Sequence, residues 1–406
     1  MGKDAARSSK PIQLKVFIDN KKKKVMFAEA EEDFVEILFS FLTLPLGTIA
    51  KLSNKHGDSK DLKFGSLSSL YESIENLDNK HFSNEHCKIA LVNPTSSSVS
   101  LCQKLKVNLM DDKKPVDGPV DEPVFVQKKA SFIITDDLNV VPVLLDRSIV
   151  LLNSLGVEYI DLLEERTIMN FGFEEFSDLL KWSLVSNNPF TNLVLGASKP
   201  CSCLPCIKSS TWGNLPLVLG HSSESQKIKL LVQKSTKKVL CAQVENFFVE
   251  MLFSFLTIPL GTVKRLTADN ASSMGIDKLY DSISRLGDEK YLKYEETKTM
   301  LLSPKIAANY LRVTDLLPIY GKDTSSGSFL KGHGTFIVSD DLGVTVSRSL
   351  STISKFNALG VPVGDIEVME VSIGEQEALL ILKASLTSTS ALTNCLNAFK
   401  KAKSLI

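Results

Sequence analysis

Nothing in the composition of this 406-residue chain leans to one side. Lys plus Arg and Asp plus Glu number 47 each, for a formal net charge of zero, so no basic field exists to hold nucleic acid or an anionic membrane. Its apolar stretches fall short of the roughly 20 residues that a bilayer span needs. The amino terminus, MGKDAARSSK, has neither the apolar stretch of a secretory signal nor the arginine-rich pattern of a transit peptide. Ala6 stands where a myristoylation motif beginning at Gly2 requires Ser or Thr. The seven cysteines are odd in number and irregularly spaced, which reads as reduced thiols rather than a disulfide framework. A soluble cytoplasmic or nuclear protein is the expectation.

Enzyme signatures are also missing. The chain has no Walker loop, no G-x-S-x-G and no H-E-x-x-H, and Gly332-His333-Gly334 lacks the remainder of a dinucleotide fingerprint. Absence of short motifs is not absence of catalysis, but it removes the ready reasons for proposing an enzyme.

What the chain does have is a repeat. Phe34 to Thr48 reads FVEILFSFLTLPLGT, and Phe248 to Thr262 reads FVEMLFSFLTIPLGT. Only Ile37/Met251 and Leu44/Ile258 differ, so the chain is two tandem copies of one unit. A leader (1–11) expected to be disordered precedes the first copy (12–196), a Cys/Ser/Pro-rich linker (197–226) follows, and the second copy takes 227–406. On a helix, Glu36, Ser40 and Thr43 share one narrow stripe and apolar residues cover the rest. The repeated stretch is therefore predicted to be a core helix, stopped by Pro45 and Gly47 and followed by a short helix towards Leu52.

Around it each copy reads hairpin, helices, strand, helix, strand, helix, an α+β class. Leu14 to Asp19 and Val25 to Ala30 alternate as strands about a lysine-rich turn, Lys21 to Lys24, of which copy two keeps only Lys237 and Lys238. That run reads as a solvated hairpin tip rather than a nuclear signal. Leu67 to Leu77 and Ile276 to Leu286 are paired helices, and Ser131 to Val140 and Thr335 to Val344 are strands entering tight turns. The helices from Ser148 to Leu155 and from Leu350 to Leu359 end at Gly156 and Gly360, in the C-cap position. The strands Glu165 to Phe171 and Glu367 to Ile373 lead to last helices near Glu174 to Leu184 and Glu375 to Leu386. The copies are expected to dock about a pseudo-twofold axis, sharing the apolar faces that each leaves exposed.

Four sets of residues are chemical candidates. Cys201, Cys203 and Cys206 in the linker place three thiols close enough to ligate zinc, with His221 too poorly spaced to complete a finger; the alternatives are a redox-sensitive thiol group and an incidental linker. His81, His86 and Cys87 are neighbours, yet copy two has Tyr291, Glu296 and Thr297 there, and a site belonging to the unit should recur. Asp136, Asp137, Asp340 and Asp341 form acidic pairs in both copies, suited to a divalent cation or a shared proton; Asp is also what a tight turn selects. Glu36 and Glu250 each put a carboxylate on an otherwise apolar helix, where burial demands a partner.

The repeated FVExLFSFLTxPLGT, the LY(E/D)SI helix and the FI(I/V)(T/S)DDL(N/G)V strand together resemble a plant family catalogued as domain of unknown function 674. The resemblance covers nearly everything from Leu14 onward. It implies a plant origin and brings with it no activity, substrate or cofactor. Members of the family carry a cysteine-rich segment resembling a small zinc ribbon in each copy. Here the corresponding stretches, after Lys104 to Leu109 and before Thr335, hold no cysteine, so no metal inference transfers.

The expected function is a non-enzymatic module binding a protein partner or a small ligand in a cleft between its two domains. No cofactor is expected beyond the zinc that the linker cysteines would hold, nor is nucleic-acid binding or a membrane span. The alternative is an enzyme or metal-dependent protein using the acidic turns or the linker cysteines.

Overall fold

The computed structural model describes residues 11–55, 64–110, 123–196, 225–267, 274–307, 316–317, 319, 327–347, 349–358 and 360–403. Repeat one supplies β1 (Leu14–Asp19), β2 (Lys24–Glu31), α1 (Glu32–Ser40), α2 (Leu46–Lys55), α3 (Leu67–Asn76), α4 (Glu85–Val92), α5 (Val99–Cys102), β3 (Ser131–Thr135), β4 (Val140–Pro142), α6 (Leu145–Ser154), β5 (Glu164–Ile168), α7 (Phe173–Val185) and α8 (Pro189–Leu195). Repeat two supplies β6 (Gln226–Gln233), β7 (Val239–Glu245), α9 (Asn246–Phe255), α10 (Leu260–Leu266), α11 (Gly275–Arg285), α12 (Asp288–Tyr291), α13 (Glu295–Leu302), β8 (Thr335–Ser339), β9 (Val344–Val346), α14 (Ser349–Ala358), β10 (Ile366–Ile373), α15 (Glu375–Thr387) and α16 (Ala391–Lys403). The class is α+β, with two five-stranded antiparallel sheets of the same topology, β4-β3-β2-β1-β5 and β9-β8-β7-β6-β10. Among the described residues no helix is long and apolar enough to cross a membrane.

Strand alternation sorts the first sheet's side chains. Leu14, Val16 and Ile18 of β1, with Phe132 and Ile134 of β3, are fully buried. Phe17, Met26, Phe27 and Ile133 form a second cluster, covered by Leu151, Leu152 and Leu155 of α6 together with Val157 and Leu163. Beside β2 and β3 lies α1, whose Phe34 packs against Phe171, Phe176 of α7 and Phe190 of α8, at centroid distances of 5.1, 5.0 and 6.2 Å.

The repeated motif is not one helix. Its α-helix ends at Ser40 and tightens into a 3-10 turn over Phe41–Thr43. Ser40 Oγ donates to Ile37 O at 2.7 Å and Thr43 Oγ1 to Ser40 O at 2.8 Å; Ser254 and Thr257 repeat both bonds in copy two. Hydroxyls returned to the preceding turn compete with the helical ladder, and Pro45, lacking an N–H, cannot resume it. Gly47 does not stop this helix, as the sequence predicted, but lies in the first turn of α2. A Cβ there would come within 2.8 Å of Pro94 Cγ and 3.1 Å of Leu256 O, so glycine is required for close approach. The LPLG and IPLG segments pair with each other, Leu46 N to Ile258 O at 3.0 Å, Gly47 N to Leu256 O at 2.8 Å and Leu260 N to Leu44 O at 2.9 Å.

Two compact units divide the chain, and they cut across the repeats. Unit one is Met1–Thr43, Ser98–Ser198 and Ser272–Pro304; unit two is Leu44–Ser97, Lys199–Ala271 and Lys305–Ile406. The sheet of repeat one is thus packed with α11, α12 and α13 from repeat two, and the sheet of repeat two with α2, α3 and α4 from repeat one. The units describe packing, not the extent of each copy.

The exchange is reciprocal in detail. In unit one, Ser282 Oγ on α11 accepts from Val140 N at 2.9 Å. In unit two, Ser73 Oγ on α3 accepts from Val344 N at 2.8 Å. These serines belong to the LY(E/D)SI motif and these valines close the FI(I/V)(T/S)DDL(N/G)V motif. Two motifs that recur separately in the sequence are therefore each other's partners, across copies.

Candidate functional site

The recurring glutamates occupy equivalent cradles. Glu36, with 5% of its surface exposed, receives three consecutive backbone N–H groups on Oε1, from Val124 and Phe125 at 2.5 Å and Val126 at 3.1 Å. Glu250 receives Phe329 N at 3.0 Å, Leu330 N at 2.7 Å and the Ser328 hydroxyl. Each carboxylate thereby fastens the chain just before the third strand of its sheet. The fastened segment in turn bridges the exchanged helical segment, Val126 to Leu292 and Leu330 to Phe82. Burial pushes Glu36 up to about 7, with the Asp33 charge adding to that and the N–H donors opposing it.

The acidic turns are likewise engaged. Asp136 accepts from Thr191 N at 2.8 Å and Thr191 Oγ1 at 2.7 Å, in the first turn of α8. Asp340 does the same for Thr393 of α16, at 2.7 and 2.9 Å. Both cap a helix from a distance, satisfying a donor that the helix cannot. Burial lifts Asp136 to about 6 although Thr191 and Lys24 pull it down, and burial raises Asp340 too. Asp137 and Asp341 accept from Thr135 and Ser339 inside the turn. The turn carries Leu138 and Leu342 at φ +64° and +63°, in the left-handed region that costs a branched side chain on the order of 1–2 kcal/mol; both leucines are fully buried, which holds them there.

The other candidates are not brought together. Cys87 is buried on α4, His86 is exposed, and His81 stands edge-on to Phe336 at 6.5 Å. Cys201, Cys203, Cys206 and His221 lie outside the described residues. Among the described residues no group of three or more His, Cys, Asp or Glu side chains is placed to hold a metal ion. Cys102, Cys241 and Cys395 are buried, and burial raises each thiol, the first two to about 11, so none is a ready nucleophile.

One surface escaped the sequence reading. The helix α6 turns Leu151, Leu152 and Leu155 to the sheet but leaves Leu145 80% and Val150 70% exposed, with Ile149 at half. The segment that follows leaves Tyr159, Ile160 and Leu162 exposed as well, the last at 75%. These six exposed side chains lie along one stretch, 145–162, whose Leu151, Leu152, Leu155, Val157 and Leu163 cover one sheet face. Aligning Gly156 with Gly360 sets Ser349, Ile353, Ser354, Val363, Gly364 and Ile366 opposite them. Copy two keeps an exposed Ile353 and Val363 but has no counterpart to Leu145 or Val150. The signal was present in LDRSIVLLNSL, which holds more apolar residues than one helix face can bury.

Neither a comparison with curated proteins nor one with solved structures returns a match. A family profile described as "Protein of unknown function (DUF674)" matches residues 8–117, 112–325 and 319–405. These matches follow one another along almost the whole sequence and agree with the FVExLFSFLTxPLGT, LY(E/D)SI and DDL motifs that occur twice in it. The chain belongs to the DUF674 family.

Proposed function

We propose that this protein is a non-enzymatic binding module of the plant cytoplasm or nucleus, and that it holds a protein partner through the outer face of α6 and the 159–162 segment. The observation that carries the reading is the contrast between the copies. Repeat two builds the same unit with Ser349 and Ser354 where repeat one exposes Leu145 and Val150, so the fold does not require apolar residues there. Exposed apolar area that stability does not need marks an interaction surface. The carboxylates of Glu36, Glu250, Asp136 and Asp340 each accept hydrogen bonds from their own chain, which supports a structural task for them over the alternative of an enzyme using the acidic turns.

The test is affinity capture from plant tissue with the full chain and with Leu145→Ser/Val150→Ser, quantifying proteins and small molecules together. A protein retained by the wild type and lost with the variant is the expected result. Equal capture by both would remove the reading. Elemental analysis of the same preparations, with Cys203→Ser as control, tests the metal-dependent alternative.

A further inference from the structure

The character of the partner can be read from the rim of the α6 face. Asp146, Glu158 and Asp161 are exposed and interleaved with the exposed apolar residues, and none of the three makes an ion pair among the described residues. Copy two has Leu350 and Pro362 at the positions of Asp146 and Glu158, so two of the three acids are, like Leu145 and Val150, peculiar to repeat one. Arg147 adds one positive charge, and Arg166 is already bonded to Glu164 at 2.8 Å. The 145–162 stretch thus exposes six large apolar side chains together with an excess of negative charge that no ion pair among the described residues offsets. A second copy of this chain is a poor occupant, because a twofold contact would set these acids against themselves. An anionic membrane is excluded by the same charge.

From this juxtaposition of exposed apolar side chains and unpaired acids, we propose that the α6 face takes an amphipathic helical segment of a protein partner, with apolar residues on one side and Lys or Arg flanking them. This rests on the binding function proposed above and deepens it. A helix laid on the face buries its apolar stripe on Leu145, Val150, Tyr159 and Leu162, while its flanking cations meet Asp146, Glu158 and Asp161. The apolar contacts supply the affinity, and the charges select the partner and hasten encounter.

Two synthetic helices of equal length, one of Leu and Lys and one of Leu and Glu, serve as probes in fluorescence anisotropy with the full chain. The Leu/Lys helix is expected to bind, the Leu/Glu helix to bind at least about tenfold more weakly. Leu145→Ser/Val150→Ser should weaken the Leu/Lys complex by about tenfold or more. Asp146→Asn/Glu158→Gln/Asp161→Asn, three exposed substitutions that leave the core untouched, should weaken it several-fold and flatten its dependence on salt. Equal binding of both helices, or indifference to the acid substitutions, overturns the proposal. So does self-association in sedimentation that Leu145→Ser/Val150→Ser abolishes, since the occupant is then another copy. Face-dependent capture of a plant protein combined with no preference for the Leu/Lys helix would leave the binding function standing and remove this inference alone.

Discussion

Ser282 and Val140, 142 residues apart, are joined by a 2.9 Å bond in which the serine hydroxyl accepts the strand's first N–H, and Ser73 and Val344 repeat it at 2.8 Å across 271 residues. Neither valine N–H reaches the next strand, so the hydroxyl is what satisfies a buried donor.

Ser282→Ala orphans the Val140 N–H, and Ser73→Ala orphans that of Val344. Each should lower unfolding stability by about 1–3 kcal/mol, read as a shift in urea midpoint at unchanged slope. Losses below about 0.5 kcal/mol in both would mean that water replaces the serine without cost.

Glu36 sets a pH dependence whose sign follows from its raised pKa. Its folded value is near 7 against an ordinary 4.5, so the folded chain binds the proton more tightly than the unfolded chain does. The stability this group contributes is complete below about 4.5 and is lost as pH rises through 7. Glu36→Gln keeps an acceptor for the Val124–Val126 amides and cannot ionise. The variant should match wild type near pH 5 and exceed it at pH 8, by an amount on the order of 1–3 kcal/mol. A pH-independent difference between the two would sink the assignment. Glu36→Ala, which strands three N–H groups, should be destabilising at every pH.

Asp136→Ala and Asp340→Ala form a matched pair. Each removes two accepted bonds and uncaps a terminal helix, for an expected loss of about 1–2 kcal/mol. Amide hydrogen exchange should localise the loss to the first turn of α8 in one variant and of α16 in the other. Exchange that rises instead across the whole sheet would show that the carboxylates hold more than a helix end.

The exchange of helical segments can be trapped covalently. The bonds Lys293 N to Phe125 O and Gln127 N to Tyr291 O flank Val126 and Leu292, making them a non-hydrogen-bonded pair whose Cα atoms lie about 4.5 Å apart, within disulfide range. Val126→Cys/Leu292→Cys should therefore oxidise within one chain and run as a faster monomer on a non-reducing gel. Covalent dimers in place of that band would mean that two molecules trade segments.

Much of the fold was legible because it rests on local pattern. The alternation of Leu14 to Asp19, the Pro45 break and the glycines after α6 and α14, at φ +68° and +74°, all declare themselves within a few residues. What stayed hidden is long-range. Asp136 looked like a turn residue and is one, but its carboxylate is aimed at Thr191, 55 positions on, and nothing local to either residue announces the other. α8 and α16 carry no local signal, because each follows a break of Ser, Asn or Thr residues that reads as an ending. The pairing of LY(E/D)SI with the opposite copy's DDL strand is invisible for a different reason: motifs shared by both copies make self-pairing and cross-pairing indistinguishable by pattern. The exposure of Leu145 and Val150 could be suspected from composition, but only packing shows which leucines the sheet leaves over.

The chain passes from one unit to the other after Thr43, Ser97, Ser198, Ala271 and Pro304, and this orders events on the ribosome. When the whole of repeat one has emerged, its sheet still lacks α11 to α13, and its own α2 to α4 have no sheet to cover. Neither unit can close until Pro304 has been added. Unit one can close once Pro304 is added and unit two only after β8, β9 and β10 have followed it, so folding comes late in both, with long loops to close first. Until that residue is in place, the nascent chain exposes apolar surface on both its sheet and its helices.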